Sequence, residues 1–251
     1  MANPQKKPDD PKPKDKEYSH FHLDMNSLLQ HILKGSQNLT PEEADAMSQP
    51  QKPEVFLICC IDSRIQPDKD FDYGPGVTLE YRPIAAVIPP PGDADAAFLS
   101  RMAFRRLKDV RNIILMVHSD CGGALASIQI PNPDLKTGGD LDIIASEIHR
   151  TGLDVPGLSK TFLTAANGDA GRAANRLAKE AGVQSLKNLL GYKGRQGFAT
   201  IADEMANGDL HVALLYYDIK KRSCEKYDAD KNAWEPLMDA GTPPKNAPPT
   251  P

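Results

Sequence analysis

Two short segments of the 251-residue chain contain residue types that bind a transition metal. The first segment is CIDSR at residues 60–64, and the second is HSDCGG at residues 118–123. Together they offer two thiolates and one imidazole, which zinc accepts in a tetrahedral arrangement. Three protein ligands with a free fourth position are typical of catalytic rather than structural zinc. The segments therefore predict a catalytic zinc site with Cys60, His118 and Cys121 as ligands.

Each of these ligands has a simpler interpretation when it is considered alone. Cys60 could be a small buried hydrophobic residue, His118 a hydrogen-bonded core histidine, and Cys121 incidental, because free cysteines are commonly buried for packing. The combination of H-x-x-C with C-x-D-x-R, each at the end of an apolar run, favours the metal interpretation.

Asp62 and Arg64 form the second chemical feature of the first segment. If the chain stays extended after Cys60, both side chains share its face and point toward the metal. The Asp62 carboxylate could accept a hydrogen bond from the attacking oxygen, or it could occupy the fourth position on zinc and close the site. A bidentate Arg64 would hold the carboxylate off the metal. We predict catalytic roles for both residues, although an ordinary ion pair at a strand end is the alternative.

The apolar runs before the two segments predict the elements that position the ligands. Residues 55–61 and 112–117 read as buried strands, and neighbouring parallel strands would deliver the ligands to one edge of a sheet. Further strands are predicted at 77–81 and, as the last one, at 210–217. Helices are predicted at 24–34, 97–109, 172–190 and near 141–149. This alternation predicts an α/β fold with a mostly parallel central β-sheet flanked by helices.

The composition indicates how many domains the chain forms and which parts of it are disordered. With 40% hydrophobic and 25% charged residues, the chain predicts one globular domain. Residues 1–18 and 241–251 are rich in proline and polar or charged residues, so we expect a disordered arm and tail around a zinc-binding catalytic domain at 19–240.

The same composition bears on partners and location. Thirty basic against 34 acidic residues argue against a nucleic-acid partner. No apolar stretch reaches the length of a membrane span, so no membrane partner is expected. Four cysteines in a chain of this length do not make a disulfide framework, which predicts a cytoplasmic location.

At the residues of the two segments the sequence resembles the β-class carbonic anhydrases. Their signature is C-x-D-S-R followed by H-x-x-C-G-G, with zinc held by the two cysteines and the histidine. The resemblance runs from about Gln51 through Ala124 and returns at residues 208–219. It implies a β-carbonic-anhydrase-like fold and a zinc lyase, carbonate dehydratase, that reversibly hydrates carbon dioxide to bicarbonate and a proton. It also implies a homodimer or higher homo-oligomer in which the first helix reaches across to the partner subunit.

The resemblance also implies a substrate pocket. Gln51 would hydrogen-bond the substrate, the amide of Gly122 would assist, and Leu79 and Ile84 would lie around carbon dioxide. The sequence departs from the family at residues 82–86, where RPIAA replaces R-N-x-x-N. Two amide side chains are therefore missing, and Pro83 lacks a backbone donor.

Two other functions remain open on the sequence. The same zinc-activated water could hydrolyse carbon disulfide or carbonyl sulfide, as related proteins of this fold do. Alternatively, Asp62 could permanently fill the fourth position in a non-catalytic zinc protein or bicarbonate-responsive module. If the protein is a hydratase, its two thiolates make zinc a weaker Lewis acid than three histidines would, so activity should favour alkaline pH.

Overall fold

The computed structural model describes residues 24–36, 40–70, 76–131 and 139–237. The chain divides into two compact units, Met1–Gln49 and Pro50–Pro251. In the first unit, helix α1 (Met25–Ser36) confirms the predicted helix, and helix α2 (Pro41–Ser48) was not predicted. The predicted arm and tail lie outside the described residues, and a catalytic domain bounded at 19 and 240 stays a prediction.

The second unit is built around a sheet that has six strands in the described part of the chain, in the order β2-β1-β3-β4-β5-β6. The first four in that order are parallel: β1 (Val55–Cys59), β2 (Thr78–Tyr81), β3 (Asn112–His118) and β4 (His211–Asp218). Two antiparallel strands follow, β5 (Ser223–Asp228) and β6 (Ala233–Pro236). The mostly parallel α/β prediction is confirmed. The prediction that β4 is the last strand is wrong, because β5 is largely polar and β6 has two adjacent apolar residues, Ala233 and Trp234, so that neither gives an apolar run.

Helices flank this sheet. Their bounds are α3 (Pro67–Asp70), α4 (Ala96–Leu107), α5 (Gly122–Gln129), α6 (Asp140–His149), α7 (Val155–Ala165), α8 (Ala170–Leu190) and α9 (Ile201–Ala206). Two single 3-10 turns lie at Ile84–Ala86 and Pro91–Asp93. The predicted helices correspond to α4, α6 and α8. Helix α7 was missed because proline and glycine occupy its first turn, although Asp154 caps it by accepting a hydrogen bond from the Gly157 amide at 3.1 Å.

The main core lies between one face of the sheet and the helices α4 and α8. Alternate strand residues such as Ile58, Leu115 and Leu214 pack there against helix residues such as Met102 and Leu189. Helix α8 approaches β3 closely, because a Cβ atom at Gly182 would lie 3.1 Å from both methyl groups of Val117. A rigid helix therefore supports the carboxyl end of β3.

The opposite, amino-terminal end of the sheet carries a charge cluster, defined here as Arg105, Asp109, Arg195, Glu204 and Asp209, in which Asp109 is exposed and Arg105 and Glu204 are buried. Arg105 donates to Glu204 at 2.9 Å, and both side chains are fully buried. Arg195 donates to Glu204 and to Asp109. The cluster joins α4 and α9 next to the starts of β3 and β4.

No helix in the described ranges combines the length and apolar character that crossing a bilayer requires.

Candidate metal centre

The three predicted ligands meet at the carboxyl ends of two adjacent parallel strands. Cys60 follows β1 and His118 ends β3, and Cys59 is the register partner of Met116. One ligand atom from each of Cys60, His118 and Cys121 lies within 4.8 Å of the other two. All three side chains are buried, with exposed fractions of 4%, 1% and 2%.

The imidazole of His118 is oriented as a metal ligand. Its Nδ1–H donates to the backbone carbonyl of Ser119 at 2.8 Å, which leaves the lone pair on Nε2. That Nε2 atom is buried and has no hydrogen-bond partner among the residues that the structure describes. A buried acceptor without a partner is costly, and a zinc ion between this nitrogen and the two sulfurs would satisfy it. A backbone carbonyl on the other ring nitrogen is the usual support for a metal-bound histidine.

The thiols of Cys60 and Cys121 share a hydrogen bond. A hydrogen bond from Cys121 lowers the pKa of Cys60 to about 4 against the opposing effect of burial, and His118 adds to the lowering. The same hydrogen bond, together with burial, raises the pKa of Cys121. The backbone N–H of Ala85 also donates to the Cys60 sulfur at 3.3 Å. Without metal, the two sulfurs therefore share one proton, and a cation would replace that proton.

Asp62 and Arg64 form the predicted bidentate pair. Arg64 donates from Nε to Oδ1 of Asp62 at 2.9 Å and from Nη2 to Oδ2 at 2.7 Å. Hydrogen bonds from Arg64 lower the pKa of Asp62 to about 2, so this carboxylate is ionised at neutral pH. Arg64 Nη2 also donates to the carbonyl of Asp120 at 2.8 Å, which ties the first segment to the second.

The backbone that carries this pair differs from the prediction. The chain does not stay extended after Cys60, because the N–H of Ile65 donates to the carbonyl of Asp62 at 3.0 Å and closes a turn. Within the turn, the Asp62 side chain accepts the N–H of Arg64 at 3.0 Å, as aspartate commonly does two residues ahead of itself. The expectation of a shared strand face is therefore wrong, and the turn brings the two side chains together.

Cys59 lies apart from the ligand group. It packs with Leu57, Met116 and Tyr217, whereas Cys60 packs in a separate cluster with Cys121. Burial raises the pKa of the Cys59 thiol to about 12, so it is a packing residue.

Arg82, at the end of β2, holds the turn that follows Cys60. Its guanidinium donates to the carbonyl oxygens of Cys60, Asp62 and Ile65, at 3.1, 3.0 and 2.8 Å from Nη2. Sequence reasoning missed this function. The one available signal was position, because Tyr81 and Ile58 are register partners and Arg82 therefore lies beside the end of β1.

The turn between His118 and Cys121 is held from two other elements. Asp120 has a left-handed backbone (φ 54°), and its N–H donates to Oδ1 of Asn175 in α8 at 2.7 Å. Ser119 donates its N–H to the carbonyl of Tyr217 at 2.9 Å and accepts the N–H of Ile219 on its hydroxyl at 3.0 Å. The segment 208–219, noted in the sequence, therefore ends beside the metal centre.

Gly123 allows the first turn of α5 to lie against the 3-10 turn at Ile84–Ala86. A Cβ atom at Gly123 would lie 2.7 Å from Cγ2 of Ile84 and 3.3 Å from Cβ of Ala85. A Cβ atom at Gly122 would meet nothing within 4 Å. Ile84 thus lies close to the segment that contains Cys121, and Gly122 is open on its side-chain face.

Gln51 and Leu79 lie together in a different place. They line a groove of about 420 Å³ whose other lining residues are Phe56, Glu80, Ser100, Arg101 and Phe104. None of the three metal ligands lines this groove. The contact of Gln51 and Leu79 with substrate stays a prediction.

Comparison with known proteins agrees with this geometry. The carbonic anhydrase family matches residues 55–224, which include all three ligands. The chain belongs to this family, and the sheet and the Cys-His-Cys group place it in the β class.

Two curated relatives come from Arabidopsis thaliana. Mitochondrial β carbonic anhydrase 6 is 26% identical over 188 residues, covering 74% of this chain and 60% of the relative. Chloroplastic β carbonic anhydrase 5 is 26% identical over 186 residues, covering 73% of this chain and 57% of the relative. The chain therefore spans only about three fifths of the length of these relatives.

Solved structures share the fold. The β-carbonic anhydrase CcaA superposes with a TM-score of 0.66 at 22% identity, covering 84% of this chain and all of that one. The β-carbonic anhydrase CafA of Aspergillus fumigatus has a TM-score of 0.59 at 24% identity, covering 87% of this chain and 90% of that one. A tetrameric β-carbonic anhydrase of Sordaria macrospora has a TM-score of 0.60 at 23% identity, covering 80% of this chain and 92% of that one.

Proposed function

We propose that the protein is a zinc-dependent carbonate dehydratase that reversibly hydrates carbon dioxide to bicarbonate and a proton. The supporting observation is the convergence of two sulfurs and one unpartnered imidazole nitrogen next to a bidentate Asp62–Arg64 pair, in a member of the carbonic anhydrase family. Zinc held there would lower the pKa of a bound water toward ~7.

Each residue has a definite task in this proposal. Cys60, Cys121 and Nε2 of His118 hold the metal. Asp62, ionised and engaged by Arg64 on both oxygens, retains lone pairs that can accept a hydrogen bond from the attacking water and orient it. Arg64 keeps this carboxylate off the metal, which argues against the module in which Asp62 permanently fills the fourth position.

The substrate pocket is proposed from the family resemblance. Ile84 and Gly122 lie next to the ligand-bearing segments and can contact a small molecule there. Gln51 and Leu79 lie together in their own groove, and we propose that they contribute to substrate binding in the assembled protein.

We also propose that the protein forms a homodimer or higher homo-oligomer. Helix α1 exposes Met25, Leu29 and Leu33, with exposed fractions of 66%, 52% and 49%, at a spacing of four residues. Such an apolar stripe on one helix face is typical of an interaction surface. The Sordaria relative is a tetramer by its description. Light scattering coupled to gel filtration would measure the mass of the assembly, and a purely monomeric protein would contradict this proposal.

A cytoplasmic location is proposed on the state of the cysteines. All four are free thiols in the structure. A reducing compartment keeps such thiols available for metal. Cell fractionation tests this proposal.

The test of the activity is stopped-flow hydration with a pH indicator on protein of known zinc content. We expect about one zinc per chain and a rate that rises from neutral to alkaline pH, because two thiolates weaken the Lewis acidity of the metal. The Asp62→Asn variant should retain zinc and lose most of the rate. Zinc-loaded protein without hydration activity at any pH in that range would contradict the proposal, and carbonyl sulfide would then be the substrate to assay.

A further inference from the structure

Arg82 lies outside the ligand group but contacts the backbone that carries it. The residue directly follows edge strand β2, and its side chain is 29% exposed. Its Nε and Nη2 donate to the Cys60 carbonyl at 3.2 and 3.1 Å. Nη2 also reaches the Asp62 and Ile65 carbonyls. One guanidinium thus spans the whole turn from residue 60 to residue 65.

This turn contains much of the chemistry of the metal centre. It carries one metal ligand, Cys60, and the Asp62–Arg64 pair. Other hydrogen bonds also hold it: the N–H of Ile61 donates to the carbonyl of Pro83 at 3.3 Å, the N–H of Ala85 to the Cys60 sulfur at 3.3 Å, and Arg64 to the carbonyl of Asp120 at 2.8 Å. Each of these engages one point of the turn, whereas Arg82 engages both its ends and Asp62 between them.

The chemistry of the side chain suits this role. A guanidinium presents five N–H donors in a fixed planar fork, whereas lysine presents a compact charge on a flexible stem. With Nε donating to the Cys60 carbonyl and the two N–H groups of Nη2 facing those of Asp62 and Ile65, the planar fork holds the three oxygens in fixed directions, whereas a lysine ammonium has three donors but no fixed direction in which to present them. The pairing of Arg82 with Glu80 is a separate contact at 3.8 Å with both side chains 29% exposed, so it contributes little.

We propose that Arg82 is a positioning residue of the metal centre. By holding the carbonyls of Cys60, Asp62 and Ile65, it keeps the turn in the conformation in which Cys60 can share a metal with His118 and Cys121. The inference rests on the zinc site of the proposed function, and it assigns Arg82 no contact with metal or substrate.

The experiment compares Arg82→Met, which removes all donors at similar length, with Arg82→Lys. Glu80→Gln is the matched control, because it removes the partner of the weak ion pair and leaves the carbonyl contacts. Three quantities are measured on each purified protein: the rate of zinc release to a chromophoric chelator, the visible absorption spectrum of the cobalt(II)-substituted form, and the thermal midpoint of the metal-free protein.

We expect Arg82→Met to release zinc about 10 to 100 times faster, the usual effect of losing a partner that orients a metal ligand. Its cobalt spectrum should differ from wild type, because the sulfur of Cys60 is no longer fixed. Arg82→Lys should be intermediate, and Glu80→Gln should match wild type.

Two outcomes separate the failure of this inference from the failure of the proposed function. If wild type binds zinc and Arg82→Met shows only a lower thermal midpoint, with wild-type zinc release and cobalt spectrum, Arg82 is merely structural and the inference is overturned. If wild type itself binds neither zinc nor cobalt, the proposed function fails first, and the inference fails with it.

Discussion

The metal centre and the charge cluster lie at opposite ends of the same sheet, and both contain buried ionisable groups. In the charge cluster, Arg105 and Arg195 face the carboxylate of Glu204, so positive and negative groups are paired. Nε of Arg105 has no hydrogen-bond partner within the described part of the chain. At the metal centre, two thiols and an imidazole lone pair converge with no positive group among them.

The difference separates a structural site from a binding site. Burying a charge requires a partner, and in the cluster the protein itself supplies one. Cys60, His118 and Cys121 supply electron-pair donors alone, so a bound cation would provide the balancing positive charge. Burial alone therefore does not identify a functional site. A convergence of donors without a compensating cation does.

The largest effect should come from removing a donor at the metal centre. The His118→Ala variant should lose nearly all of its zinc and its hydration activity, because two thiolates do not complete a catalytic zinc site. Its circular dichroism spectrum should remain that of a folded α/β protein, since the main core does not include the ligand group. Elemental analysis after gel filtration measures the zinc. Full occupancy in His118→Ala would contradict the assignment of this ligand.

Breaking the charge cluster should lower the stability of the fold and leave zinc binding intact. Glu204→Gln leaves Arg105 and Arg195 without their carboxylate, and breaking a buried pair of this kind costs about 3–5 kcal/mol of unfolding free energy. Zinc content per folded chain should be unchanged. Urea denaturation compares this variant with Asp169→Asn, which removes an exposed ion pair. If Glu204→Gln and Asp169→Asn are equally stable, the charge cluster does not stabilise the fold, and its contrast with the metal centre is wrong.

A smaller effect is expected at the glycine pair that begins α5. Gly123→Ala would place a methyl group against Ile84 and Ala85, and overpacking of this kind costs about 1–3 kcal/mol. Gly122→Ala is the matched control, because its methyl group meets no atom and alanine favours the helix. Thermal denaturation of the two variants distinguishes them. If Gly122→Ala is the more destabilised variant, the contact between α5 and the Ile84 turn is wrongly described.

The smallest effect concerns the dependence of stability on pH. Burial alone would raise the pKa of Glu204, but hydrogen bonds from Arg105 and Arg195 outweigh it and lower the pKa. The stabilisation from this carboxylate is therefore complete above its unfolded pKa of about 4.3, and it is lost as pH falls through the lower folded value. We expect the stability difference between wild type and Glu204→Gln to shrink below about pH 4.3. A stability difference between the two proteins that grows on acidification would show that the pKa of Glu204 is raised rather than lowered.

Much of the metal centre could be predicted because its residues fall in two short segments of the sequence. CIDSR and HSDCGG each follow an apolar run, and parallel neighbouring strands bring their ends together. The predicted pairing of Asp62 and Arg64 was also correct, but its predicted geometry was wrong. Local hydrogen bonds of the Asp62 side chain and carbonyl bend the chain into a turn, and apolar periodicity does not report such bonds.

The missed strands depend on contacts with other elements. Strand β5 pairs with β4 and strand β6 pairs with β5, and this pairing stabilises them rather than an apolar pattern of their own. Lys179 in α8 contributes to holding this hairpin, by donating to Glu225 at 2.7 Å and lying 5.2 Å from the centre of the Trp234 ring. Contacts between residues this far apart in the chain leave no local mark.

The chain's amino-acid order was enough to select the three residues that converge as a group able to hold a metal, their supporting strands and the α/β class. These features depend on side-chain chemistry and on short-range hydrophobic periodicity, and both can be determined from a single sequence. Two residues that hold the ligand-bearing turns are Arg82 and Asn175. Their roles became evident from the tertiary structure. Arg82 and Asn175 lie 22 residues from Cys60 and 55 from Asp120, respectively. Only the packing of strands and helices against one another brings such distant groups within hydrogen-bonding distance.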